Sequence, residues 1–214
     1  MSMRDTEYLI DQLTDELKPR HGVSPGLGRT MLAGTALVTA LSLTLLFGMR
    51  PDFIAGDPHP VPLIAALVFL CAGAVVALAL TAMARPAVGA NRGGWQGAVA
   101  LIAVLPVAAF LTAAGNAAQR AAMMPPDGPF CLVTGTLASL ASIVLLTLWL
   151  RRGAPTSAER TSWLVGIAGG AIGALAIGLV CPIDAISHIG IWHAGIVAVA
   201  AVGSRLVLPR FLRW

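Results

Sequence analysis

Cys181 opens the stretch CPIDAISHIGIWHAG, which gathers one of the chain's three cysteines, two of its four histidines and a lone aspartate, Asp184. Thiolates select soft metal ions and imidazoles suit zinc-like ones. A thiol with a second thiol in reach closes a disulfide once the Cα atoms lie within about 7 Å. The candidate partner is Cys131, in PFCLVTG. Three cysteines are too few for a disulfide framework, and none is spaced as CxxC. Whether these residues act together therefore depends on the elements that carry them.

Those elements are membrane spans. Hydrophobic residues make up 57% of the chain and charged ones 11%, and the mean hydropathy is +0.82. A soluble domain carries about 25% charged residues, so this chain cannot cover a water-facing surface. Crossing about 30 Å of hydrocarbon takes roughly 20 apolar residues. Six segments qualify, near 31–49, 61–84, 95–114, 130–150, 162–180 and 189–208. The expected fold is all-α, a six-helix polytopic membrane bundle. It has a tail over residues 1–30, a membrane domain over 31–208 and a short end over 209–214.

Basic residues sort by loop. With the N-terminus cytoplasmic, twelve of the fourteen fall inside and only Arg50 and Arg120 outside, beside Asp52, Asp57, Asp127 and Asp184. The positive-inside rule then predicts both termini in the cytoplasm. The formal charge of +4 is accordingly no sign of nucleic-acid binding. The charged N-terminal stretch lacks the early apolar core of a signal peptide.

This topology brings Cys131, at the start of the fourth span, and Cys181, at the end of the fifth, to one outer face. On the outer side of a bacterial inner membrane, which is oxidising, the pair could form a disulfide or capture a soft metal ion. Pro182 is expected to begin a new helical turn, placing Asp184, His188 and Trp192 on one face, with His193 beside it. Asp184 and His188 are candidate supporting residues or ligands. His193 and Trp192 serve equally as interfacial anchors. Cys71, in mid-span, reads as inert packing. Gly166, Gly169, Gly170, Gly173 and Gly178 in the fifth span permit close helix approach, within the bundle or in a homodimer.

The tail reads MSMRDTEYLIDQLTDELKPRHGVSPGLGR. Asp5 or Thr6 can cap a short helix that Lys18-Pro19 ends. Leu9, Leu13 and Leu17, with Tyr8, form its apolar stripe among acidic residues. About fourteen residues are marginal alone in water, so such a helix needs a partner. Interfacial helices are usually basic, which turns an acidic one toward a protein with a basic groove. HGVSPGLG reads as a flexible tether.

The chain resembles the NrsF-type negative regulators of sigma factor, integral-membrane anti-sigma factors of proteobacteria. The resemblance rests on six spans, on DTEYLIDQLTDEL, on PFCLVTG and above all on CPIDAISHIGIWHAG. It implies a multi-pass protein of the bacterial inner membrane whose cytoplasmic face sequesters an extracytoplasmic-function sigma factor, without contacting nucleic acid itself. It also implies that Cys131 and Cys181 sense oxidant or heavy-metal stress. Asp184, His188 and His193 would then support them, and a heavy-metal ion would bind only transiently, with no constitutive cofactor. The segment Asp5–Leu17, with Tyr8, Leu9 and Leu13, would dock the sigma factor.

The competing class is an enzyme, a thiol oxidoreductase or a haem- or quinone-linked one using His188 and His193. The missing CxxC and the one-sided histidines weigh against it. A transporter would need intramembrane charges or broken helices, and the span centres hold no ionisable residue.

Overall fold

The computed structural model describes residues 3–16, 24–84, 95–153, 155 and 157–212. Among them every regular element is helical. The tail helix α1 runs Met3–Glu16, beginning ahead of the expected caps. Its side chains from Thr6 to Asp15 are all exposed, Tyr8, Leu9 and Leu13 included. The expected docking residue Leu17 and the side chain of Asp5 lie outside the described residues.

Six helices are long and apolar enough to cross a membrane: α2 Pro25–Phe47, α4 Pro60–Met83, α5 Trp95–Gly115, α7 Gly128–Leu150, α8 Ala158–Gly178 and a sixth span, Ile186–Val207. The last is composite, made of α9 Ile186–His188, a π turn over Ile189–His193 and α10 Ala194–Val207. Short helices α3 Pro51–Ile54, α6 Ala117–Ala121 and α11 Pro209–Leu212 complete the chain. Proline starts several of these helices, where its missing N–H costs nothing. Pro25 opens α2 in this way, so much of the expected tether is the first turn of a span.

Helix α8 is the axis of the bundle, with 83% of its apolar stretch buried against α10, α4 and α7. In lipid no hydrophobic force drives helices together, so close packing must do so. The glycines supply it. A Cβ on Gly173 would fall on the Gly135 carbonyl of α7, and one on Gly166 on the Ala200 carbonyl of α10. Gly170 faces the Val197 Cα and Gly169 faces Ile143 in the same manner. Of the two uses expected for these glycines, packing within the bundle is therefore realised at four positions. Cys71 faces outward and is exposed, so the expectation of a packed thiol at mid-span is corrected.

At one end of the bundle, Glu159 at the start of α8 meets Arg205 at 2.8 Å. The candidate residues lie at the other end.

Candidate functional site

Cys131 occupies the first turn of α7, one turn ahead of Gly135 and two ahead of Ser139. This small-residue face seats α7 against α8 at Gly173. The last turn of α8 closes with the Cys181 N–H donating to the Ile177 carbonyl at 2.9 Å. Close packing below thus fixes the two sulfurs above, and they lie 3.7 Å apart, both buried.

Pro182 does not open a new turn, contrary to expectation. Lacking an N–H, it ends the α8 pattern, and residues 182–185 run irregularly before α9 begins at Ile186. Asp184 and His188 consequently do not share a helical face. Asp184 ion-pairs with Arg50, whereas His188 is fully buried and sets its Nε2 3.5 Å from the Cys181 sulfur.

His193 joins His188 through the π turn. Residues five apart on an α-helix point about 140° apart, whereas the wider i→i+5 turn brings them back toward one side. The two imidazoles stand edge to face, with centroids 5.4 Å apart. Gly190 lets the turn pack closely on α5, since a Cβ there would strike the Leu105 carbonyl. One ligand atom each from Cys131, Cys181, His188 and His193 fits within a span of 4.8 Å, and all four residues are buried. Nδ1 of His188 and Nε2 of His193 have no hydrogen-bond partner. Asp184 stands outside this group.

Trp192 packs against the start of α7 and the loop before it. Its indole N–H donates to the Met123 carbonyl at 2.8 Å, and the ring lies where a Cβ of Gly128 would be. Nearby, the Ser187 N–H and hydroxyl both donate to Gln119 Oε1, at 3.2 and 2.8 Å. These bonds tie the loop between α5 and α7 to the sixth span.

Arg50 is the residue that the sequence kept hidden. It follows the C-terminus of α2 and is 4% exposed. Its guanidinium forks onto Asp52, with Nε–Oδ1 at 3.0 Å and Nη2–Oδ2 at 3.1 Å. It also donates to the Asp184 carboxylate and to the Cys181 carbonyl. Its backbone N–H reaches the Leu179 carbonyl at 3.0 Å. The C-terminal end of α2 is thus fastened to the segment that holds Cys181.

Two electrostatic consequences follow. Burial alone would lower the Arg50 pKa, but the hydrogen bonds it donates to Asp52 and Asp184 and their charges raise it above its ordinary value. The Arg50 hydrogen bond, opposed by desolvation and aided by the His59 N–H, holds Asp52 down to about 2. A depressed carboxylate keeps its contribution above its ordinary pKa and loses it only as pH falls through the folded value. The Arg50–Asp52 pair therefore stays charged down to strongly acidic pH. Cys181 lies between the spans, and its thiol is held well below the usual range. The Cys131 thiol donating to it is the main cause, opposed by burial and reinforced by His188 and His193.

The profile of a family described as NrsF, negative regulator of sigma F, matches residues 13–214. The Anti-sigma-F factor NrsF of Caulobacter vibrioides (strain NA1000 / CB15N) is 28% identical over 208 residues, covering 92% of this chain and 94% of that protein. No solved structure matches. A match over nearly the whole chain, including both cysteine motifs and all six spans, places the protein in the NrsF family of negative regulators of sigma factor.

Proposed function

We propose that this protein is an anti-sigma factor of the bacterial inner membrane, with both termini in the cytoplasm. Its α1 holds an extracytoplasmic-function sigma factor, and its buried thiol centre releases that factor under oxidative or heavy-metal stress. Family membership supports the regulatory role. The observation that carries the sensing role is the pair of buried sulfurs at 3.7 Å beside two buried imidazoles. Membrane cores rarely bury such polar groups without function.

On this reading α1 presents Tyr8, Leu9 and Leu13 in an exposed, acid-flanked helix suited to a groove with a basic rim. Oxidation converts two thiols to a disulfide, the two electrons passing to the oxidant and the two protons to water or base. The sulfurs must then close from 3.7 Å to about 2.05 Å. Cys181 can move only with the 179–184 segment, and Arg50 carries that displacement to α2 and onward to the tail. Switching from mostly bound to mostly free takes about 5.5 kcal/mol of difference between the two states.

The test is purification of the tagged full-length protein from native membranes, with and without a brief peroxide or cadmium pulse, followed by mass spectrometry. A sigma factor present at rest and lost after the pulse supports the proposal. Its absence in both conditions overturns it and moves the thiol oxidoreductase to first place. Deleting residues 1–20 is expected to abolish the co-purification while leaving the protein in the membrane. Retained co-purification would remove α1 as the docking element. Cys131→Ser and Cys181→Ser are each expected to hold the sigma factor through the pulse.

A further inference from the structure

The four groups around Cys181 have a geometry more specific than a pair of thiols awaiting oxidation. A tetrahedral ion with sulfur at about 2.3 Å and nitrogen at about 2.0–2.1 Å sets two sulfurs about 3.8 Å apart and sulfur and nitrogen about 3.5 Å apart. The observed Cys131–Cys181 separation is 3.7 Å and the Cys181–His188 Nε2 separation 3.5 Å. Two edges of a zinc-sized tetrahedron are therefore already in place. The fourth corner comes from His193, which the π turn returns to the same side and which is within reach of the other three.

The second observation is independent of these distances. His188 and His193 are 0% and 2% exposed, and each leaves one ring nitrogen without a partner. Burying an unpaired polar atom costs about 1–3 kcal/mol. A serine, tyrosine or backbone carbonyl commonly satisfies such an atom in a packed interior, and none among the described residues does so here. Both rings are thus held dry beside the sulfurs, His188 presenting Nε2 to Cys181 and keeping Nδ1 as its unpartnered nitrogen.

The surroundings fix which kind of ion. Two sulfurs and two nitrogens in a closed tetrahedron favour zinc over magnesium or calcium, which take oxygen ligands. The neighbouring carboxylate of Asp184 is already engaged by Arg50.

We propose that Cys131, Cys181, His188 and His193 form a closed tetrahedral site for a zinc-class divalent ion, with all four side chains as direct ligands. Binding leaves both sulfurs as thiolates, any protons they still carried passing to solvent, and the resulting S2N2 centre is neutral, which suits its buried position. The site rests on the reading of the thiol centre as a sensor and deepens it. Its test involves no sigma factor, so either can fail without the other.

The experiment uses the full-length protein, purified metal-free in lipid nanodiscs and titrated with cobalt and then with zinc. Wild-type protein is expected to develop the intense visible bands of tetrahedral cobalt with thiolate charge transfer, which stoichiometric zinc then abolishes. X-ray absorption of the zinc-loaded protein should show two sulfurs at about 2.3 Å and two imidazole nitrogens at about 2.0 Å. Replacing a residue that merely supports a ligand costs about 10–100-fold in metal affinity, so His188→Gln and His193→Gln should each weaken zinc by more than that. Absence of the cobalt bands in wild-type protein would overturn the proposal, as would an absorption spectrum lacking imidazole. Both of these results come from the unaltered chain, so they stand even if a histidine variant fails to fold.

Discussion

Arg50→Ala is expected to free the sigma factor in unstressed cells. The guanidinium is the main tie between the C-terminal end of α2 and the Cys181 segment. Its removal leaves the Cys181 carbonyl unpaired, and a hydrogen bond from a charged donor contributes about 1.5–3 kcal/mol. The Asp184 pair adds less, since that carboxylate is 43% exposed and such pairs contribute about 0–1 kcal/mol. At about 1.4 kcal/mol per tenfold, a loss of about 2–3 kcal/mol shifts the bound fraction by roughly 30–150-fold. A sigma-dependent reporter should rise at rest to near its stressed level. Arg50→Lys should fall between, because an ammonium retains the charge but cannot form the two-pronged contact with Asp52. A reporter that stays silent at rest and fully inducible in Arg50→Ala would remove Arg50 from the relay.

Gly173→Ala should damage the bundle itself. A Cβ there falls on the Gly135 carbonyl and within 3.1 Å of Ser139 Cβ. Its neighbours are backbone and a short side chain, so neither helix can yield without moving the other. Overpacking of this kind costs about 1–3 kcal/mol and occasionally more, and the seam lies directly below the two sulfurs. The variant should unfold at lower temperature and lose reactivity between Cys131 and Cys181 together. Gly203→Ala is the contrasting case. It is on α10 with nothing within 4 Å of the added atom, and alanine in a helix gains up to about 1 kcal/mol over glycine. Equal stability of the two variants, measured by thermal melting in detergent, would show that the α7–α8 seam does not set the structure.

The six spans were legible because lipid allows few solutions, and their observed limits differ by a few residues from those expected. The rendezvous of Cys131 and Cys181 was legible as well, through alternation of span direction. What escaped was local. Histidines five residues apart look unrelated on an α-helix, and only the π turn at Ile189–His193 reunites them. Pro182 fits either the end of one helix or the start of the next, and its neighbours decide which. Arg50 was counted among loop charges, because an arginine flanking a span ordinarily faces water. Its burial depends on Asp184, which lies 134 residues away. The exposed Cys71 likewise shows that mid-span position alone does not separate the bundle interior from the lipid face.

The rim above the thiol centre has a consequence for what reaches it. Its loops carry Asp52, Asp57, Asp127 and Asp184 against Arg50 and Arg120, four negative charges and two positive, for a net of −2. A mouth of that sign gathers cations and turns anions away, with a reach of about 8 Å at physiological ionic strength. Divalent metal ions should arrive faster in dilute media than in salty ones, while a neutral oxidant should be indifferent to salt. If the thiol centre senses as proposed, an anionic oxidant should therefore respond to salt in the sense opposite to a metal cation.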